Sequence, residues 1–138
     1  MTPSALMDRA REAMANSYSP YSGFTVGAAL LCKDGTIYEG CNIENASYSP
    51  TVCAERTAFF KAVYDGHRDF EAMAVCGGKQ GKITGFFPPC GVCRQVMGEF
   101  CGPDFKIYMI GPGEELKEVT LKDLLPFAFN RQEHMSLE

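Results

Sequence analysis

The chain has 138 residues, 46% of them hydrophobic and 22% charged, enough to bury one core; residues 1–138 read as a single domain. Lys+Arg 13 against Asp+Glu 17 leaves a formal charge of -4 with no basic run, which argues against nucleic acid and for a small-molecule partner. No stretch nears the roughly 18 consecutive apolar residues of a membrane helix, and residues 1–15 interleave charged with apolar side chains, unlike a secretory signal, so no membrane partner is expected and a cytoplasmic location is.

Thr2-Pro3 reads as a helix start, with Thr2 as cap and Pro3 in the first turn, and Leu6, Ala10 and Met14 continue at helical spacing to about Ser17. After the turn-rich segment 18–23, Phe24 to Cys32 is almost continuously apolar, as in a strand covered on both faces. Lys33-Asp34-Gly35 turns the chain into a second strand, Thr36 to about Asn42. A loop over Glu44 to Thr51 leads to a helix from about Cys53 to Tyr64. Its apolar residues run nearly all round, so it should be buried on several sides. Phe70 to Gly77 forms a third strand, and glycines 78, 81 and 85 mark an irregular loop up to Pro89. A helix from about Cys90 to Phe100 follows, then strands Phe105 to Ile110 and Leu116 to Thr120 and a short helix near Leu121 to Leu125. This order implies an α/β protein, a mixed sheet between helical layers.

Seven cysteines are an odd number for a disulfide framework, and Cys32 and Cys76 sit in strand-like runs, so reduced thiols are expected. The reactive residue types concentrate in Cys53-Ala54-Glu55 and Pro89-Cys90-Gly91-Val92-Cys93. Cys90 and Cys93 share one face of a helix start, and Cys53 begins another helix, where the positive end of the dipole favours thiolate. Three such ligands would leave a tetrahedral zinc ion with one open position, the catalytic rather than the structural arrangement. Glu55 lies about 200° round the helix from Cys53 and is no fourth ligand on that face, but a first-turn carboxylate leaning toward the N-terminus can reach a bound water. Arg56 can offset the negative charge of the thiolates.

Taken alone, Cys-x-x-Cys is also a redox pair or half of a structural zinc site. Cys41, Cys101, His67 and His134 are the residues that could close such a site, giving an interaction module without catalysis. None has comparable spacing. Cys32, Cys41, Cys76 and Cys101 read better as inert buried thiols, His67 as a turn residue and His134 as part of a fraying tail.

At these residues the sequence resembles the zinc-dependent cytidine deaminases, specifically their small, three-cysteine, homotetrameric branch. The likeness runs from about Tyr18 to Phe129 through Tyr21-Ser22-Gly23-Phe24-Thr25-Val26-Gly27-Ala28-Ala29, Gly40-Cys41-Asn42-Ile43-Glu44-Asn45-Ala46, Cys53-Ala54-Glu55-Arg56-Thr57-Ala58 and Pro89-Cys90-Gly91-Val92-Cys93-Arg94-Gln95. It implies a three-layer α/β/α fold with a five-stranded mixed sheet, Zn2+ on Cys53, Cys90 and Cys93, and Glu55 as the acid/base. The implied reaction is hydrolytic deamination of cytidine and 2'-deoxycytidine by zinc-activated water, a step of pyrimidine salvage. It further implies a homotetramer with sites shared between subunits. Asn42 and Glu44 correspond to the pair that holds the ribose 3'-hydroxyl, Phe24 to a ring of the pocket, and Ala54 and Cys90 to backbone positions around the pyrimidine. Ala46 and Tyr48, and the C-terminal aromatic Phe129, correspond to positions reaching a neighbour's site. Without the resemblance, Asn42 and Glu44 read as loop caps, and Phe24 and Phe129 as core. Pro88 departs from the small polar residue that often precedes the family's Pro-Cys, which bears on the pocket rim. A modified cytosine nucleoside or a blasticidin-type antibiotic is the alternative substrate.

Overall fold

The computed structural model describes residues 1–131. The expected cap is present: Thr2 Oγ1 accepts from the Ala5 N–H at 3.1 Å and Pro3 opens α1 (Pro3–Met14), which ends one turn earlier than the apolar spacing indicates. Strands β1 (Phe24–Cys32), β2 (Ile37–Cys41), β3 (Phe70–Lys79), β4 (Lys106–Ile110) and β5 (Leu116–Thr120) form one sheet in the order β2-β1-β3-β4-β5. Only β3 and β4 pair in parallel, bridged by α3 (Gly91–Phe100); the other neighbours are antiparallel. The sheet is mixed, as expected.

Helix α1 covers one face, with Leu6, Met7, Ala10 and Met14 against Ala29, Leu31, Ala74 and Cys76. Helices α2 (Ala54–Tyr64), α3 and α4 (Leu121–Leu124) cover the other, around Phe59, Met73, Met97 and Ile107. Alternate residues of β1 thus enter opposite cores, which explains its unbroken apolar run. A helical layer lies on each side of the sheet.

Two further expectations change. β3 continues through Gly78 to Lys79 rather than ending at Gly77, because these glycines serve close packing and not a turn. A Cβ on Gly78 would lie 1.7 Å from the Lys82 carbonyl oxygen, where the returning segment bridges Gly77 to Gly85. Helix α2 is buried on one side only: Ala54, Glu55, Ala58, Phe59 and Ala62 face inward, whereas Phe60 and Tyr64 are 50% and 90% exposed. Among the described residues, none covers the outer apolar side chains Phe60 and Tyr64.

The inner side of α2 sits directly on β2 at Gly40, where a Cβ would lie 2.3 Å from the Ala54 oxygen and 2.6 Å from the Ala58 nitrogen. Both neighbours are backbone and cannot rotate away. Gly40→Ala should therefore destabilise the fold by about 3 kcal/mol in urea unfolding, at the upper end for overpacking, and should lower metal retention by shifting the start of α2. Unchanged unfolding would show that α2 can slide.

Candidate active site

The sheet end at which β1 begins and β2 and β3 finish carries a cleft of ≈ 280 Å³. The N-terminal ends of α2 and α3 both open onto it. Cys53 and Cys90 are their N-cap residues, in extended backbone conformation, and neither side chain caps its own helix. Both sulfurs are therefore free to meet. Cys53 Sγ and Cys90 Sγ lie 3.5 Å apart, as do Cys90 Sγ and Cys93 Sγ, and all three thiols are unpaired by disulfides.

Thiolate bonds of about 2.3 Å around a tetrahedral ion put neighbouring sulfurs about 3.8 Å apart, so the three residues fit such an ion with adjustments of tenths of an ångström. Among the described residues no fourth His, Cys, Asp or Glu joins this cluster. Cys41 instead donates to the Asn16 oxygen, and His67 faces Asp34; His134, like Leu137 and Glu138, lies outside the described residues. Held by these three described residues alone, a tetrahedral ion would keep one position open for water.

The charges around the sulfurs support this role. Hydrogen bonds from the Cys93 thiol, and then from Arg56 and Cys90, outweigh burial and bring the Cys53 thiol down to about 5. The shared proton correspondingly pushes Cys93 up. Burial opposes the charge of Arg56, but its hydrogen bonds to Cys53 and Cys93 hold the guanidinium above its usual value. Arg56 is thus the local counter-charge. Burial raises Cys32 and Cys76 to about 11 and Cys101 to about 12, so these stay protonated in the metal-free chain, although Cys101 is only partly buried.

Glu55 lines the cleft beside Cys53, Ala54 and Cys90 and is only 4% exposed. Burial first, then the Cys53 thiolate, push its carboxyl up to about 7, with Arg56 pulling the other way. A carboxyl poised near neutrality can both accept and return a proton.

Asn42 and Glu44 also line the cleft, and both are held more firmly than loop caps need to be. Asn42 Oδ1 accepts from the Ser17 hydroxyl at 2.5 Å and from the Val26 N–H at 3.0 Å, while its Nδ2 donates to the Phe24 oxygen. Glu44 accepts from the backbone N–H groups of Tyr21 and Ser22 at 3.0 Å and from the Ser22 hydroxyl, which hold its carboxyl below the usual range. The sequence gives neither Ser17 nor Ser22 a role: Ser17 reads as the end of the first helix and Ser22 as part of the turn-rich segment 18–23. Phe87 is another omission. It lines the cleft, stands 5.8 Å from the Phe24 ring and fills the space above Gly77, next to the unusual Pro88.

Tyr48 lies beside Glu44 in an adjoining cleft with Tyr21, Ser22 and Thr51, and is 72% exposed. Ala46 and Phe129 are exposed and line neither cleft; the Phe129 oxygen accepts from Gln95 at 2.9 Å. Of the residues named from the sequence, Asn42, Glu44, Cys53, Ala54, Glu55 and Cys90 line this cleft, Cys93 and Arg56 reach its sulfurs, Phe24 stands behind the Phe87 ring, and Tyr48 lines only the adjoining cleft.

The family model described as the cytidine and deoxycytidylate deaminase zinc-binding region matches residues 1–109. The chain belongs to this deaminase family. It is 50% identical over 128 residues to the cytidine deaminase of Sporosarcina psychrophila, covering 93% of this chain and 91% of that protein. The crystal structure of cytidine deaminase from Burkholderia pseudomallei superposes with a TM-score of 0.86 at 44% identity, covering 94% of this chain and all of that one. That from Mycobacterium tuberculosis gives 0.79 at 39% identity, covering 94% and 98%. These likenesses span the sheet, the helices and the cysteine-bearing segments together.

The Glu55 carboxyl sets a pH test. Its folded value of about 7 exceeds the ordinary carboxylate value of 4.5, so the folded chain holds a proton that the unfolded chain gives up. In metal-free protein, this contribution is fully present below pH 4.5 and is lost as pH rises to about 7, a difference on the order of 3 kcal/mol. Wild type minus Glu55→Gln stability should fall over that window. Parallel pH curves for the two chains would contradict the buried, proton-holding carboxyl.

Proposed function

We propose that this chain hydrolyses cytidine and 2'-deoxycytidine to uridine and 2'-deoxyuridine with release of ammonia, acting in pyrimidine salvage. The observation that carries the reading is Glu55, a carboxyl only 4% exposed, opening onto the same cleft as a three-thiol cluster. Zn2+ is the ion best matched to that donor set, and when bound at Cys53, Cys90 and Cys93 it supplies Lewis acidity that makes water a nucleophile at neutral pH. Arg56 balances part of the thiolate charge.

Glu55 takes a proton from the attacking water and delivers it to N3 of the pyrimidine, which makes C4 electrophilic. The water oxygen bonds to C4. Glu55 then moves the remaining hydroxyl proton to the exocyclic amine, the C4–N bond breaks, ammonia leaves and the C4 carbonyl forms. The proton on N3 stays with the uracil product. Asn42 and Glu44, held rigid by Ser17, Ser22 and backbone donors, are placed to hydrogen-bond a ribose hydroxyl, while Phe24 with Phe87 offers aromatic surface to the flat base. A carboxylate in the sugar region favours an unphosphorylated nucleoside.

The proposed assembly is a homotetramer whose subunits share sites. Tyr48, Tyr64, Phe127 and Phe129 are 72%, 90%, 105% and 59% exposed, more aromatic surface than a lone small domain has reason to leave in water. Ala46, Tyr48 and Phe129 are the residues proposed to complete a neighbour's cleft. Free thiols and the absence of any helix long and apolar enough to cross a membrane, among the described residues, support a cytoplasmic setting.

Ultraviolet-monitored turnover of cytidine, with zinc quantified in the same sample, is the first test. About one zinc per chain with turnover supports the reading; zinc without turnover on either nucleoside points to a modified cytosine nucleoside, an antibiotic of the blasticidin type, or a structural metal. Glu55→Gln should keep its zinc and lose about 10²- to 10⁴-fold or more in kcat, whereas Cys90→Ala should lose zinc itself. Light scattering should give about four times the 15.2 kDa chain mass, and a stable active monomer would remove the shared-site proposal.

A further inference from the structure

We propose that Cys32, Asp34 and His67, on the side of the molecule where the β1–β2 hairpin turns, form a second site for a borderline-soft divalent cation. The cluster is separate from the deaminase cleft and does not depend on the function assigned to that cleft. Its ligand atoms all lie within 4.8 Å of one another.

The turn builds two of the three positions. Gly35 N–H bonds the Cys32 oxygen at 3.0 Å and Cys32 N–H bonds the Thr36 oxygen at 2.8 Å, closing the hairpin with Gly35 at φ +94. Asp34 Oδ1 is used by the Thr36 N–H at 2.9 Å, which leaves Oδ2 facing His67 Nε2 at 3.1 Å. His67 follows α2 and is fixed from behind by Tyr38.

Counting protons shows what belongs between Asp34 and His67. A carboxylate only accepts, so Tyr38 Oη spends its single proton on Asp65 Oδ2 at 2.8 Å. Tyr38 Oη must then accept from His67 Nδ1–H, 3.1 Å away. This fixes the ring with its Nε2 lone pair toward Asp34. Two lone-pair-bearing atoms 3.1 Å apart require a positive species between them, a second proton or a metal ion.

The third group favours the metal. Cys32, a buried unpaired thiol, has its Sγ within 4.8 Å of the ligand atoms of both Asp34 and His67, and a simple His–Asp ion pair has no use for it. A tetrahedral ion with one sulfur, one imidazole nitrogen and one carboxylate oxygen sets its ligands about 3.3–3.8 Å apart. From the observed limit of 4.8 Å, sulfur has to move in by about 1.3 Å at most, displacing its proton to the solvent as the bond forms. Thiol and imidazole together select Zn2+ or Cd2+ over Mg2+ or Ca2+. The Asp34 side chain is 59% exposed, so the ion has an entrance and a water can take the fourth position. Tyr38 with Asp65 is the outer hydrogen-bond relay that metal-ligating histidines ordinarily have.

Equilibrium dialysis of the full chain against Cd2+, with bound metal and thiolate–Cd2+ ultraviolet absorption read per chain, tests the site. Wild type should hold one more Cd2+ than Cys32→Ser and His67→Gln, and Tyr38→Phe should weaken the extra site by about 10- to 100-fold. Equal metal content in wild type and His67→Gln, or an extra ion that survives both substitutions, overturns the proposal and leaves a proton in that place. His67→Gln is decisive should Cys32→Ser fail to fold, because residue 67 is outside the core. All these chains keep Cys53, Cys90 and Cys93, so a triad that binds no metal would lower every count equally without touching the difference.

Discussion

Helices α2 and α3 each begin on a cysteine that contributes nothing to its own helix. Neither Cys53 nor Cys90 caps a backbone N–H, a position where Ser, Thr, Asp or Asn stabilises by about 1 kcal/mol. In return both sulfurs stay free to converge, with Cys93 one turn further along α3 and the positive ends of two helix dipoles on the same cluster. Such convergence has to be imposed from outside the helices. The sheet imposes it: Ala54 and Ala58 press on Gly40, the Thr57 hydroxyl donates to the Cys41 oxygen at 3.0 Å, and the pairing of β1 with β3 brings the segment before α3 alongside.

Electrostatics then link the cluster to the carboxyl. Glu55 is buried among groups that favour negative charge on Cys53, so the thiolate and the burial together keep it protonated up to about 7. The Glu55 backbone N–H and then Arg56 offset this field in the metal-free chain, and Arg56 Nε has no partner among the described residues. A divalent ion at the three sulfurs reverses the sign of the local field and favours the carboxylate form of Glu55. Metal binding would therefore enlarge the share of Glu55 present as proton acceptor at neutral pH. Metal binding and acid/base function are one electrostatic event at this site.

The elements that sequence reading places correctly are those governed by local rules: the Thr2-Pro3 start, the doubly covered β1, the turn at Asp34-Gly35 and the Cys-x-Glu and Cys-x-x-Cys helix starts. What it misses depends on distant residues. Gly78 reads as a loop residue because glycine marks turns, yet its value lies in admitting the Lys82 carbonyl against β3. Ser17 and Ser22 are ordinary polar turn residues until the fold brings Asn42 and Glu44 to their hydroxyls. Phe87 looks like one aromatic in an irregular loop, and becomes a wall of the cleft only because Gly77 leaves room beneath its ring.

Helix α2 shows the remaining source of ambiguity. Its apolar residues go nearly all the way round, and a periodicity argument cannot distinguish a helix buried within its own chain from one buried partly against another. The structure separates the two sides: Phe59 is fully enclosed, while Phe60 and Tyr64 face outward. Tyr48 and Phe127 repeat the pattern and add backbone strain, with φ of 61 and 53 in a region that costs a non-glycine residue about 1 kcal/mol. A lone chain gains nothing from strained aromatics in water. The proposed tetramer gives them a physical purpose, since contacts with a neighbour can offset both the strain and the exposed apolar area, and a cleft completed in this way would exist only after assembly.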